Sequence, residues 1–150
     1  METITERLYE EYKNTTGVCT DTRKISPGNL FFALRGDHFD ANEFASKALE
    51  GGAKIAVIDN PDFVIEGKTI LVDNTLTALQ ELARHHRRNL KIPVFGLTGS
   101  NGKTTTKELI REVLAKKYKT FATQGNLNNH IGVPLSILSI DSSIEMAVIE

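Results

Sequence analysis

The sequence predicts an α/β protein with two parts: a small N-terminal α/β unit, then a unit built on a parallel sheet. Three observations predict this. Short apolar runs alternate with stretches of helical periodicity along the whole chain. From residue 93 onward the order is strictly strand, helix, strand, helix, strand. Between the first of those strands and its helix lies a Gly-rich turn, "GLTGSNGKTTTKELI" at 96–110.

In chain order, "TITE" (3–6) fits a capping box, with a hydroxyl at the N-cap and a carboxylate three residues on. Ile4, Leu8 and Tyr12 follow at helical spacing, which predicts a short first helix. "NLFFAL" (29–34) reads as a buried strand. In "ANEFASKALEGGA", Phe44, Ala45, Ala48 and Leu49 share a helical face, and Gly51 and Gly52 mark its end. "KIAVID" (54–59) and "TILVD" (69–73) are two more strands. Asn74 then caps a helix with Leu76, Leu79, Leu82 and Ala83 on one face. That helix runs into "ARHHRRN" (83–89), where cations favour the negative end of its dipole. Pro93 breaks the pattern. The boundary is placed at 74/75.

In the second part, the strand at 93–98 precedes a helix at about 103–117 with Leu109, Ile110, Val113 and Leu114 as its apolar face. A strand at 119–122, a helix near 131–138 and the strand "MAVIE" (146–150) complete a parallel βαβαβ pattern. The chain stops on an apolar strand with nothing to cover it, so a fragment of a longer protein is expected.

Composition narrows the function classes. The chain has 150 residues, 40% hydrophobic and 25% charged, with net charge -1. This gives no electrostatic case for nucleic acid or an acidic membrane. Its one cysteine, Cys19, rules out a disulfide framework within the chain. The charged start has no apolar signal region. No apolar stretch approaches the roughly 18 residues of a membrane span. A soluble, cytoplasmic protein without membrane insertion is the expectation.

The turn at 96–110 departs from the common phosphate-loop spacing, G-x-x-x-x-G-K-[ST]. Counted back from Gly102, the first glycine belongs at 97, which is Leu97. The physics still favours a phosphate site. Gly99 and Gly102 allow close backbone approach, and N–H groups opening the next helix point at an anion. Lys103 can reach outer phosphates, and Thr104 can place a hydroxyl on Mg2+.

The shorter G-x-x-G-K-[ST]-[ST] spacing resembles the ATP loop of the Mur ligases, the amide-forming enzymes of peptidoglycan assembly, and of their folyl-polyglutamate relatives. "QGNLNNHIGVPLSIL" (124–138) resembles a segment of the family's dipeptide-adding members. The single-residue-adding members usually carry a Thr-Thr-Pro element there. "CTDTRKISPGNLFFALRGDHFDANEF" (19–44) resembles the uridine-nucleotide domain, with Thr22 in place of a serine and "DAN" (40–42) in place of Asp-Gly-His. His38 nearby reads as a solvated loop residue.

The resemblance covers essentially the whole chain, and about the first third of such an enzyme. It implies residues 1–74 as a UDP-sugar substrate domain and 75–150 as the first part of the central ATP-binding domain. ATP and Mg2+ would be its cofactors, with UDP-N-acetylmuramoyl-tripeptide and D-alanyl-D-alanine as its substrates. Gly99, Ser100, Asn101, Gly102, Lys103, Thr104 and Thr105 would bind ATP, with Lys103 catalytic. Thr104 and Glu150 would hold the metal. Asp21, Thr22, Arg23, Asn128 and Asn129 would meet substrate. Turn geometry is the alternative for the two asparagines, and a surface turn for 21–23. The rival readings are a ligase adding a single amino acid and a non-catalytic sugar-nucleotide-binding module. The isolated chain is expected to be inactive.

Overall fold

The computed structural model describes residues 2–150. Helix α1 spans Ile4–Lys13 and opens with the expected capping box: Glu6 N donates to Thr3 Oγ1 at 3.2 Å, and Thr3 N donates to Glu6 Oε2 at 2.7 Å. Four strands follow: β1 (Val18–Cys19), β2 (Leu30–Phe32), β3 (Arg35–Gly36) and β4 (Phe39–Asp40). A 3-10 turn, Ala41–Phe44, leads into α2 (Ala45–Glu50). Strands β5 (Ile55–Ile58) and β6 (Thr69–Leu71) precede α3 (Thr75–Asn89).

These elements build a parallel sheet in the order β1-β2-β5-β6, with β3 and β4 a separate antiparallel hairpin. β2 is buried along its whole length, as an apolar run covered on both faces should be. Burial of Phe31 and Phe32 contributes about 1.5–3 kcal/mol each in apolar transfer. Phe31 joins Ala45, Ala48, Ala53 and Ala56 in a core whose small residues let α2 lie close to the sheet. The helix predicted from residue 41 begins as a 3-10 turn instead. Asp40 accepts from Asn42 N at 2.9 Å, and this cap starts the turn there. The two-residue strands are too short for any periodicity to show.

Two compact units divide between Leu82 and Ala83, inside α3 and not at its start, where the sequence places the boundary. The reason lies in the first turn of α3. Thr75 Oγ1 donates to Ala33 O at 2.8 Å, and Thr75 N to Asp59 Oδ2 at 3.0 Å, so these residues belong with the N-terminal sheet. Asn74 caps as expected, accepting from Thr77 N at 2.8 Å. Among the basic residues at the end of α3, His86 is buried, with Nε2 2.8 Å from Ile140 O, and burial pushes its pKa down.

In the second unit β7 (Val94–Gly96), α4 (Lys103–Leu114), β8 (Thr120–Ala122), α5 (Gly132–Leu138) and β9 (Met146–Ile149) follow the predicted order. All strand pairs are parallel and the order is β7-β9-β8. The last strand is therefore central, and Ala147, Val148 and Ile149 are buried. Ile140, Ala147 and Ile149 form the core with Leu90, Ile92 and Phe121 packed against them.

The buried face of α4 differs from the expected one. Leu109 is 63% and Val113 72% exposed, while Lys107 is 1% exposed. The inward stripe runs Lys103, Lys107, Ile110, Leu114, because Lys107 finds partners inside that an apolar side chain would leave unpaired. No helix among the described residues is long and apolar enough to cross a membrane.

Candidate functional site

The strand order creates the principal site. β7 and β9 are neighbours, and Leu97 N donates to Ile149 O at 2.8 Å where both strands end. The Gly-rich loop after β7 and Glu150 after β9 thus lie side by side at the carboxyl edge of the sheet, where open α/β sheets bind ligands.

The loop 97–102 is built for close approach. Gly102 takes φ +78°, which a side chain would strain, and has no heavy atom within 4 Å of where a Cβ would stand. It occupies the N-cap of α4 without a capping side chain, leaving the helix's first N–H donors for an anion. Ser100, Asn101, Thr104 and Thr105 are exposed. Lys103 Nζ donates to the Gly99 carbonyl, so the lysine folds over its own loop.

Glu150 joins three elements. Thr104 Oγ1, at the start of α4, lies 3.4 Å from Oε2 and 3.5 Å from Oε1. Asn128 Nδ2, from the loop after β8, donates to Oε1 at 3.0 Å. Lys107 Nζ lies 3.5 Å from Oε2, with both side chains buried. The Glu150 backbone N–H donates to Thr123 Oγ1 at 3.0 Å. The Asn128 hydrogen bond holds the carboxyl below its ordinary pKa, with burial opposing and Lys107 and Thr104 adding to the decrease.

Of the two asparagines, Asn128 thus meets Glu150. Asn129 caps α5, its Oδ1 accepting from Gly132 N at 2.7 Å and Ile131 N at 3.1 Å. Gly132 matters here because a Cβ would stand 2.6 Å from the Leu127 backbone. Among the described residues no three His, Cys, Asp or Glu side chains cluster as a metal site. A cation here would draw on one hydroxyl and one carboxylate. These are hard oxygen donors, which fit Mg2+ completing its shell with water and phosphate oxygens.

The N-terminal unit holds a second candidate site, a cavity of about 450 Å³. Asp21, Thr22 and Arg23 line it together with Phe39, Phe44 and Lys47. Asp21 caps the 3-10 turn Thr22–Lys24, accepting from Arg23 N at 3.0 Å. It also takes a two-pronged contact from the guanidinium, Nε at 2.9 Å and Nη2 at 2.8 Å. That contact lowers the Asp21 pKa to about 2. Phe39 and Phe44 stack with centroids 5.4 Å apart. His38 is exposed and does not line the cavity.

Sequence reasoning passed over several residues of these sites. Phe39 and Phe44 flank "DANE", and Lys47 follows Phe44 at helical spacing, so their clustering was detectable. Lys107 falls four residues after Lys103 on the inward stripe, but a lysine there reads as solvated until its partners are known.

Comparison with known proteins identifies the family. Residues 14–87 match the model described as Mur ligase family, catalytic domain, and residues 97–150 match the Mur ligase middle domain. The chain is 45% identical over 144 residues to UDP-N-acetylmuramoyl-tripeptide--D-alanyl-D-alanine ligase of Bacillus subtilis, covering 93% of this chain and 32% of that protein. The Escherichia coli enzyme of the same name is 44% identical, covering 89% and 29%. A crystal structure of MurF from Acinetobacter baumannii superposes with TM-score 0.81 at 32% identity, over 97% of this chain and 35% of that one. MurF ligase from Thermotoga maritima in complex with ADP gives 0.79 at 33% identity, over 93% and 32%. The chain spans about a third of the length of these relatives.

Proposed function

Given that the chain belongs to the Mur ligase family, we propose that the protein it is part of is an ATP-dependent amide ligase. It joins D-alanyl-D-alanine to UDP-N-acetylmuramoyl-tripeptide through an acyl phosphate, in peptidoglycan synthesis. The observation that carries this reading is the convergence of Thr104, Asn128 and Glu150 beside the loop 99–105, at the shared edge of β7 and β9. Two relatives of the dipeptide-adding kind support the choice of amino donor.

The division of labour follows the two units. The unit that ends at Leu82 holds the UDP end of the substrate, with Thr22 and Arg23 at the cavity wall and Asp21 orienting the guanidinium. The unit from Ala83 to Glu150 forms the first part of the ATP-binding domain. Gly99 to Thr105 hold the phosphates through backbone N–H groups. Lys103 leaves the Gly99 carbonyl for the outer phosphates and offsets charge on the phosphoryl group in transit. Thr104 and Glu150 would hold Mg2+, which when bound would neutralise phosphate charge. Asn128 orients Glu150, and Asn129 keeps its amide nitrogen for substrate while its oxygen caps α5. The rest of the catalysis is positioning of the carboxylate against ATP. The water-soluble nucleotide substrates point to the cytoplasm.

The test is turnover by the full-length protein with UDP-N-acetylmuramoyl-tripeptide and ATP. ADP release should require D-alanyl-D-alanine, and product mass should rise by the dipeptide. Release driven instead by a single amino acid would overturn the donor. No release with any donor would leave a binding module.

A further inference from the structure

Lys107 is a charged group that the proposed chemistry does not use. Its side chain is 1% exposed. Nζ donates to Gly125 O at 3.2 Å and lies 3.5 Å from Glu150 Oε2 and 3.6 Å from Glu108 Oε1. Burying an ammonium is costly unless it is paired and hydrogen-bonded, and a methionine would fill similar space without that cost. The charge at this position calls for a role beyond packing.

That role follows from what surrounds Glu150. Asn128 occupies Oε1, Lys107 faces Oε2, and the Thr104 hydroxyl approaches both oxygens. The carboxylate is already balanced by a resident cation. The Gly125 carbonyl tethers that cation, so it is not free to swing away. Glu108, the other carboxylate near Lys107, is balanced by Arg111 Nε at 3.0 Å, so a dication approaching Glu150 meets a neutral pair with a positive end. Phosphate oxygens bound in the loop 99–105 would supply the missing negative charge.

We infer that Lys107 is a resident counter-cation that makes divalent-cation binding at Glu150 conditional on nucleotide phosphates in the adjacent loop. This rests on the reading that Thr104 and Glu150 hold the metal. Lys107 is a positioning residue, since it acts through Glu150. The consequence is an order of assembly in which metal arrives with nucleotide and does not precede it.

The test uses Mn2+ as the probe, with free Mn2+ followed by electron paramagnetic resonance on the full-length protein. The wild type should bind Mn2+ weakly alone and about tenfold or more tightly with ADP. Lys107→Gln keeps an N–H donor for Gly125 and removes the charge. It should tighten nucleotide-free Mn2+ binding by about tenfold and shrink the ADP effect accordingly. Lys107→Met should show the same gain, which separates charge from hydrogen bonding. Glu150→Gln added to either variant should erase the gain. Unchanged or weaker nucleotide-free binding in both Lys107 variants would overturn the inference. So would tight Mn2+ binding at Glu150 by the nucleotide-free wild type, a measurement that needs no variant to fold. By contrast, Glu150→Gln with unaltered Mn2+ affinity in the ADP complex would remove the metal role of Glu150 itself.

Discussion

Asn42 and Asp59 bond each other in both directions. Asn42 Nδ2 donates to Asp59 Oδ1 at 2.9 Å, and Asp59 N donates to Asn42 Oδ1 at 3.0 Å. Asn42 is fully buried and also takes a 3.3 Å contact from Asn60 N. Arg35 Nε donates to the same Asp59 oxygen at 2.7 Å. The network ties the β3–β4 hairpin and the 3-10 turn to the end of β5. Asn42 is the last residue of the "DAN" departure from the family pattern, and its work here is structural.

Asn42→Ala should therefore cost about 1–3 kcal/mol, the penalty for stranding buried polar groups. Thermal unfolding reads the loss, and hydrogen exchange should show lost protection at Asp59 and Asn60. Unaltered protection at both amides would show that Asn42 does not hold this corner. Burial alone would raise the Asp59 pKa, yet hydrogen bonds from Thr75, Asn42 and Arg35 leave it below its ordinary 3.8. A depressed folded pKa means the stabilisation is present above 3.8 and is lost as pH falls through the folded value.

Asp21 offers a pH signature at the cavity. Its carboxyl should titrate at about 2 by NMR, since the Arg23 side chain bonds the ionised form. Arg23→Ala should return it toward 3.8. The pair is solvent-exposed, so little stability should change with it. The same variant should weaken binding of UDP-N-acetylmuramic acid, because a charged hydrogen-bond donor at the cavity wall is lost. Chemical shifts on titration should map to 20–23 and 39–47. Unchanged affinity would remove Arg23 from the site.

Lys103→Ala should abolish ligase turnover in the full-length protein while leaving its melting temperature nearly unchanged. The lysine is half-buried at the first position of α4 and contacts only a loop carbonyl of its own turn, so stability should move within about 0.5 kcal/mol. Turnover near the wild-type rate would end the phosphate-loop assignment.

Gly132→Ala should disturb the segment that carries Asn128. A new Cβ would lie 2.6 Å from the Leu127 backbone, and backbone cannot yield as a flexible side chain can. A cost of about 1–3 kcal/mol is expected, as for overpacking. Hydrogen exchange across 124–131 should quicken. Wild-type exchange there would show that the loop has room the geometry denies.

By itself the sequence determined what local chemistry decides. The Thr3–Glu6 capping box, the Asn74 cap, the buried run at 30–32 and the βαβαβ order from 94 to 149 each follow from neighbours a few residues apart. So do the glycines of the loop before α4, because a tight strand-to-helix turn demands them. Tertiary structure decided what depends on distant partners. Placing β9 between β7 and β8 is a choice among strand pairings that periodicity does not encode, and it is what sets Glu150 beside Thr104. The inward face of α4 was decided in the same way. An apolar count favours Leu109 and Val113, but the interior opposite that helix offers a carboxylate and a carbonyl, and those groups require the ammonium of Lys107.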